Sequence, residues 1–253
     1  MRKTLAVLLS VLFLAAVYEF VRRLGIVPAS VLPTIPQILM ETVRNRGRLT
    51  EAGLHTLGSV LLSLLLTLPL GLGMGVAMAL NRNVHDMMMP LLITIKSLPA
   101  VALVPFLVVA FRQPLAVQTA LTVSICFLPV TLAVYSGLQM STGPLRHFAL
   151  TASRRKARFF WLVTFPAAAS EMLLGFKITL PLAFVGTLVA EMSSGGSDGL
   201  GNVILTTGNY SNLAGMFAAI LVVAVVSTGA YLVLLLFIQR LFPASREAWL
   251  QDL

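Results

Sequence analysis

Apolar stretches of membrane-spanning length are the feature that most restricts what this chain can become. A helix rises about 1.5 Å per residue, so about twenty apolar residues cross the roughly 30 Å hydrocarbon core of a bilayer. Six stretches qualify: Leu5 to Val21, about Leu54 to Leu80, about Met88 to Phe111, Leu115 to Leu138, about Glu171 to Met192, and about Leu213 to Phe242. Of the 253 residues, 58% are hydrophobic and 11% charged, whereas soluble domains hold about 45–50% and about 25%. Soluble cores stop growing near this chain length, so the surplus apolar surface needs lipid. The expected fold is all-α: a polytopic bundle of about six transmembrane helices, forming a single membrane domain over residues 1–253.

Internal prolines refine that picture. Pro99 and Pro105 interrupt the third stretch and Pro129 lies within the fourth. The carbonyls that a proline frees need partners in lipid, so these helices are expected to pack together or line a cavity. The first stretch follows Met1-Arg2-Lys3, as a signal peptide would, but Tyr18-Glu19-Phe20 makes a poor cleavage region and a retained anchor is expected. Cys126, the one cysteine, lies inside an apolar run, so neither an intramolecular disulfide nor a cysteine-rich metal site can form.

The net charge of +9 has its simplest source in cytoplasmic loops. With both termini inside, ten basic residues fall on the cytoplasmic side and six outside, with Lys96 and Lys177 within spans. The cluster Arg146, Arg154, Arg155, Lys156 and Arg158 decides the orientation against Arg44, Arg46 and Arg48, which would face outward. Nothing interleaves aromatics with a basic stripe, so nucleic acid is not an expected partner.

The one substantial hydrophilic segment between spans runs from about 141 to 169. It opens with the turn signal Ser141-Thr142-Gly143-Pro144. Leu145, Phe148, Ala149 and Ala152 then fall on one helical face, with basic residues crowded behind them. Periodicity alone leaves two readings open: an interfacial helix held by anionic lipid, or a helix that docks in a groove of a soluble partner.

This segment resembles the cytoplasmic coupling loop of ABC importer permeases, whose signature runs Glu-Ala-Ala, then Gly, then Leu-Pro. The corresponding residues here are His147, Phe148 and Ala149, then Ser153, then Phe165 and Pro166, so only Ala149 and Pro166 are retained. The flanks resemble the nitrate/sulfonate/taurine-type permeases, the binding-protein-dependent inner-membrane components, in the family's order. They include Leu32-Pro33-Thr34-Ile35-Pro36, His55-Thr56-Leu57-Gly58-Ser59, Lys96-Ser97-Leu98-Pro99-Ala100, Phe127-Leu128-Pro129-Val130, Val189-Ala190-Glu191-Met192 and Gly199-Leu200-Gly201.

The resemblance implies a type I ABC importer permease-like bundle in the bacterial inner membrane. Its implied partners are cytoplasmic ATPase subunits on the coupling loop, an extracytoplasmic substrate-binding protein, membrane lipid, and a second permease subunit, most simply a second copy. It implies no enzymatic activity and no cofactor on this chain, with ATP bound by the partner, in keeping with the lack of a Gly-x4-Gly-Lys-Ser/Thr phosphate loop. His147 for glutamate and Ser153 for glycine imply a loop of altered conformation, with either an adapted ATPase partner or a weakly coupling subunit. The implied cargo is a small solute, best matched by a sulfonate-, taurine- or nitrate-like anion, with a thiamine or pyrimidine precursor as the alternative.

Ionisable groups at membrane depth are functional candidates. Lys96, just before Leu98-Pro99, would attract an anion if it faced a pathway, or would snorkel to the interface. Pro99 and Lys96 are therefore candidate pathway residues, while Lys177 is better explained by snorkelling. Glu191, ahead of a Gly-rich stretch at about 193–212, is expected to brace that loop or meet the binding protein. His55, His85 and His147 lie on separate segments, so a metal role is not expected. Asp86, Asp198 and Asp252 lie outside the spans, which argues against an intramembrane aspartyl protease. A secondary transporter remains the nearer rival, although no inverted repeat is visible.

Overall fold

The computed structural model describes residues 13, 15–24, 31–152, 165–194 and 198–241. They build nine α-helices and no strand among the described residues. In chain order these are α1 (15–23), α2 (Ile35–Arg44), α3 (Arg46–Leu80), α4 (Arg82–Ser97), α5 (Val104–Phe111), α6 (Pro114–Ala152), α7 (Phe165–Ser193), α8 (Leu200–Asn209) and α9 (Leu213–Leu241). Among the described residues, four helices are long and apolar enough to cross a membrane, or five if the bent pair α4–α5 counts as one span. The expected first span lies largely outside the described residues. Its end, α1, is held by the Tyr18 ring edge-on to Phe217 of α9 and by the Tyr18 hydroxyl, which donates to the Pro33 carbonyl at 2.7 Å.

Polarity in α3 is inverted relative to a soluble helix. Its buried face carries Thr56, Ser59, Ser63 and Thr67 with Gly53, Gly71 and Gly75, while Leu54, Leu61, Leu65 and Leu70 point outward. In lipid this is the stable arrangement, because small residues let backbones approach and leucines match the acyl chains. α6 packs along both α3 and α7 on such faces. A Cβ on Gly75 would stand 2.6 Å from the Val134 Cβ, and one on Gly137 would stand 2.9 Å from the Ala168 carbonyl oxygen. Two of the hydroxyls inside bond locally: Ser63 donates to the Ser59 carbonyl and Thr67 to the Ser63 carbonyl, each at 2.7 Å.

Three expectations need correction. The third stretch is not one straight helix: α4 and the segment from Ala100 to Phe111 meet at 86°. Pro99 forces Leu98 out of the helical region, to φ −75° and ψ 129°, and a one-turn 3-10 helix, Ala100–Leu103, restarts the chain. The turn signal at 141–144 does not turn, since α6 runs through it to Ala152. One proline removes a single N–H, and the long helix on either side outweighs that loss. Nor is the Gly-rich stretch irregular throughout: from Leu200 to Asn209 it is helical, with Leu200 and Val203 buried against Leu49, Ala52, Ala218 and Ala219.

Candidate functional site

Where α3, α7 and the start of α8 meet, a carboxylate is sealed inside the bundle. Glu191, near the end of α7, has no solvent exposure. The Thr56 hydroxyl of α3 lies 2.9 and 3.0 Å from its two oxygens, and the Gly201 N–H donates to Oε2 at 2.8 Å. The Leu200 N–H in turn donates to Thr56 Oγ1 at 2.9 Å. The first turn of α8 thus finds acceptors for N–H groups that no intrahelical carbonyl can serve, and its positive dipole end faces the carboxylate. Glycine is required at 199, where any Cβ would collide with the Glu191 carboxylate, and at 201, where a Cβ would fall 2.6 Å from the Leu188 carbonyl.

The polar junction continues one turn deeper. The Ser59 hydroxyl donates to Gln118 Oε1 of α6 at 2.8 Å, and Thr122 of α6 meets Thr187 of α7 at 3.0 Å. All four side chains are buried. His55 sits on the rim, its Nδ1 3.9 Å from Glu191 Oε1. α5 closes this end of the bundle: Val104 and Leu107 pack with Val117 and Leu121 of α6 and Ala190 of α7.

The other candidates are distributed elsewhere. Lys96 lies exposed in the last turn of α4 with no ion pair among the described residues, and Pro99 stands exposed at the bend just beyond it. A helix C-terminus favours a cation, so the position of Lys96 is electrostatically sound. Leu145, His147, Phe148, Ala149 and Ala152 occupy the final turns of α6, where the backbone is helical. Ser153 lies outside the described residues. Phe165 starts α7 and packs beside Val130, Val134 and Leu138, while Pro166 takes a first-turn position where proline needs no N–H partner.

Sequence reasoning singled out Glu191 but missed Thr56, Ser59, Gln118, Thr122 and Thr187. A signal was present. Hydroxyl residues at 56, 59, 63 and 67 keep helical spacing inside a leucine-rich span, which marks a buried polar seam.

Comparison with known proteins agrees with this architecture. The model of the binding-protein-dependent transport system inner membrane component family matches residues 67–243. A probable ABC transporter permease of Haemophilus influenzae is 27% identical over 88% of this chain and 91% of its own. The formylaminopyrimidine transport permease ThiX of Halalkalibacterium halodurans is 28% identical, with 84% and 85% covered. A putative aliphatic sulfonates permease, SsuC of Bacillus subtilis, is 28% identical, with 83% and 77% covered. With a helical bundle of membrane-spanning length beneath that match, the chain belongs to the binding-protein-dependent inner membrane component family, as a multi-pass permease subunit of an ABC importer.

Proposed function

We propose that this chain lines the solute pathway of an ATP-driven importer and that α6 is the lever connecting ATP hydrolysis on a partner to the outer end of the bundle. The continuity of α6 supports this reading most directly. At about 1.5 Å per residue, a helix of 39 residues is about 58 Å long, roughly twice the hydrocarbon thickness. In the sequence its apolar run gives way to Gln139, Ser141, Thr142 and Arg146, so the turns carrying Leu145 to Ala152 extend beyond the span without a break in the helix. Toward its other end, Gln118 and Thr122 touch α3 and α7 at the polar junction.

On this reading Leu145, Phe148, Ala149 and Ala152 seat on a cytoplasmic ATPase subunit, with Ser153, Phe165 and Pro166 completing the loop. Closure of the ATPase pair tilts α6 as a rigid body, and the α3–α7–α8 junction around Glu191 follows. ATP is bound by the partner, and this chain carries no cofactor. Both termini are cytoplasmic, an extracytoplasmic binding protein delivers the solute near the Gly-rich segment, and a second copy completes the pathway.

For the cargo, Lys96 beside the α4–α5 break favours a small anion of the sulfonate, taurine or nitrate kind. Broken helices commonly provide the solute site in transporters, and a lysine there supplies the countercharge. The likeness to a formylaminopyrimidine permease supports a thiamine or pyrimidine precursor as the second reading.

Co-purification in mild detergent with an ATPase assay tests the assignment. The expected result is a stoichiometric ATPase chain that is lost on Ala149→Glu with Ala152→Glu. A stable particle with neither ATPase chain nor ATP turnover would leave a secondary transporter instead.

A further inference from the structure

α2 has no buried residue, yet most of its circumference is apolar. At 3.6 residues per turn its side chains fall into three arcs. Ile35, Ile38 and Thr42 face the bundle, where Ile38 packs against the cluster around Leu49 and Leu200. A narrow polar arc carries Gln37, Glu41 and Arg44. The third arc is Pro36, Leu39, Met40 and Val43, with Leu39, Met40 and Val43 exposed by 51%, 70% and 68%. The protein covers only one side of the apolar surface of this helix.

Its position relative to the spans is fixed by side chains. Glu41 Oε1 accepts from Asn45 Nδ2 at 2.7 Å and from Asn212 Nδ2 at 3.3 Å. Asn212 immediately precedes α9, and Asn45 immediately precedes α3, so α2 is pinned where two spanning helices begin. Tyr210, in the same turn as Asn212, is 84% exposed, as expected of an aromatic at the lipid–water boundary.

Charge completes the pattern. Arg44 and Arg46 are exposed and form no ion pair among the described residues, whereas Arg48 shares a cavity of about 140 Å³ with Glu51 and Asp198. Nor does helix electrostatics account for Arg46, which opens α3 at the end where the dipole disfavours a cation.

We infer that α2 is an interfacial anchor, lying in the headgroup–acyl boundary with Leu39, Met40 and Val43 on lipid chains and with Arg44 and Arg46 on lipid phosphates. A basic end beside an apolar arc is the combination such helices use. The neighbouring α9 likewise exposes the apolar side chains of Leu221 and Val225.

The test is spin labelling of single cysteines at 37, 39, 40, 43 and 44 in a Cys126→Ala background, in vesicles of phosphatidylethanolamine and phosphatidylglycerol. Labels at 39, 40 and 43 are expected to be more accessible to oxygen than to a water-soluble nickel chelate, with the reverse at 37 and 44. Raising the phosphatidylglycerol fraction draws the label at 40 deeper, and Arg44→Gln with Arg46→Gln abolishes that response. Nickel access at 40 and 43 overturns the proposal in favour of a water-facing helix. Shielding from both probes overturns it in favour of protein cover, by a second copy or the binding protein. A depth response that survives the double arginine variant overturns the phosphate contacts.

Discussion

The Thr56 hydroxyl lies 2.9 and 3.0 Å from the two carboxylate oxygens of Glu191, a residue 135 positions further along the chain. Because the same hydroxyl oxygen accepts the Leu200 N–H, one side chain joins α3, α7 and α8. In lipid no water replaces a missing partner, so each bond in this junction matters to the position of the others.

Thr56→Val is therefore expected to destabilise the protein by about 1–3 kcal/mol, the usual range for a buried polar group left without its partner. Thermal unfolding in detergent should show a clear drop for Val and near-recovery for Thr56→Ser. Equal stability of Val and wild type would mean that the hydroxyl is dispensable.

Glu191→Gln and Glu191→Ala should separate. Glutamine keeps an oxygen to accept the Gly201 N–H, while alanine leaves that N–H and the proton of the Thr56 hydroxyl without their acceptor. Expression and monodispersity are expected to survive in the glutamine variant and fall in the alanine variant, as read by size-exclusion chromatography.

Close helix approach makes a sharper contrast. Gly75→Ala places a methyl 2.6 Å from Val134 and 2.8 Å from the Thr131 carbonyl, whereas Gly73→Ala meets nothing within 4 Å. Overpacking should cost the Gly75 variant about 1–3 kcal/mol. Gly73→Ala should be neutral or slightly stabilising in the same melt, because alanine is the better helix former.

If Lys96 supplies the countercharge for an anionic solute, Lys96→Met should reduce uptake about tenfold or more, equivalent to about 1.4 kcal/mol. Lys96→Arg should retain much of the activity. Proteoliposomes holding the complete transporter, with radiolabelled taurine or sulfonate as cargo, provide the measurement. Unchanged uptake of an anion by the methionine variant would remove Lys96 from the pathway.

The lever reading of α6 predicts a separation of docking from coupling. Met140→Gly with Ser141→Gly softens the helix between span and coupling turns, each glycine costing about 1 kcal/mol of helix propensity. The ATPase subunit should still co-purify, while its turnover should lose its dependence on the loaded binding protein.

Hydropathy alone revealed most of the membrane-spanning helices, because lipid permits only backbone-satisfied segments of a fixed apolar length. It overreached where local signals conflicted with long-range order. The Leu98-Pro99 break appeared as an interruption in one span but is an 86° bend, and a proline says where a helix yields without saying how far. At 141–144 the opposite happened: Gly143 and Pro144 look like a turn, yet α6 absorbs them because its length supports a helix on both sides. The amphipathic α2 escaped notice because ten residues are too few to register as a span.

For the site, the sequence by itself determined that Glu191 was an ionisable group at the end of a span, followed by glycines at 199 and 201. Only the tertiary structure decided what those glycines are for, by bringing the start of α8 onto the carboxylate and Thr56 across from α3. Hydropathy is a property of single segments and is written along the chain. A hydrogen bond between residues 135 positions apart depends on how the helices rotate and approach, and that is settled by packing of small faces such as Gly71 and Gly75 against α6.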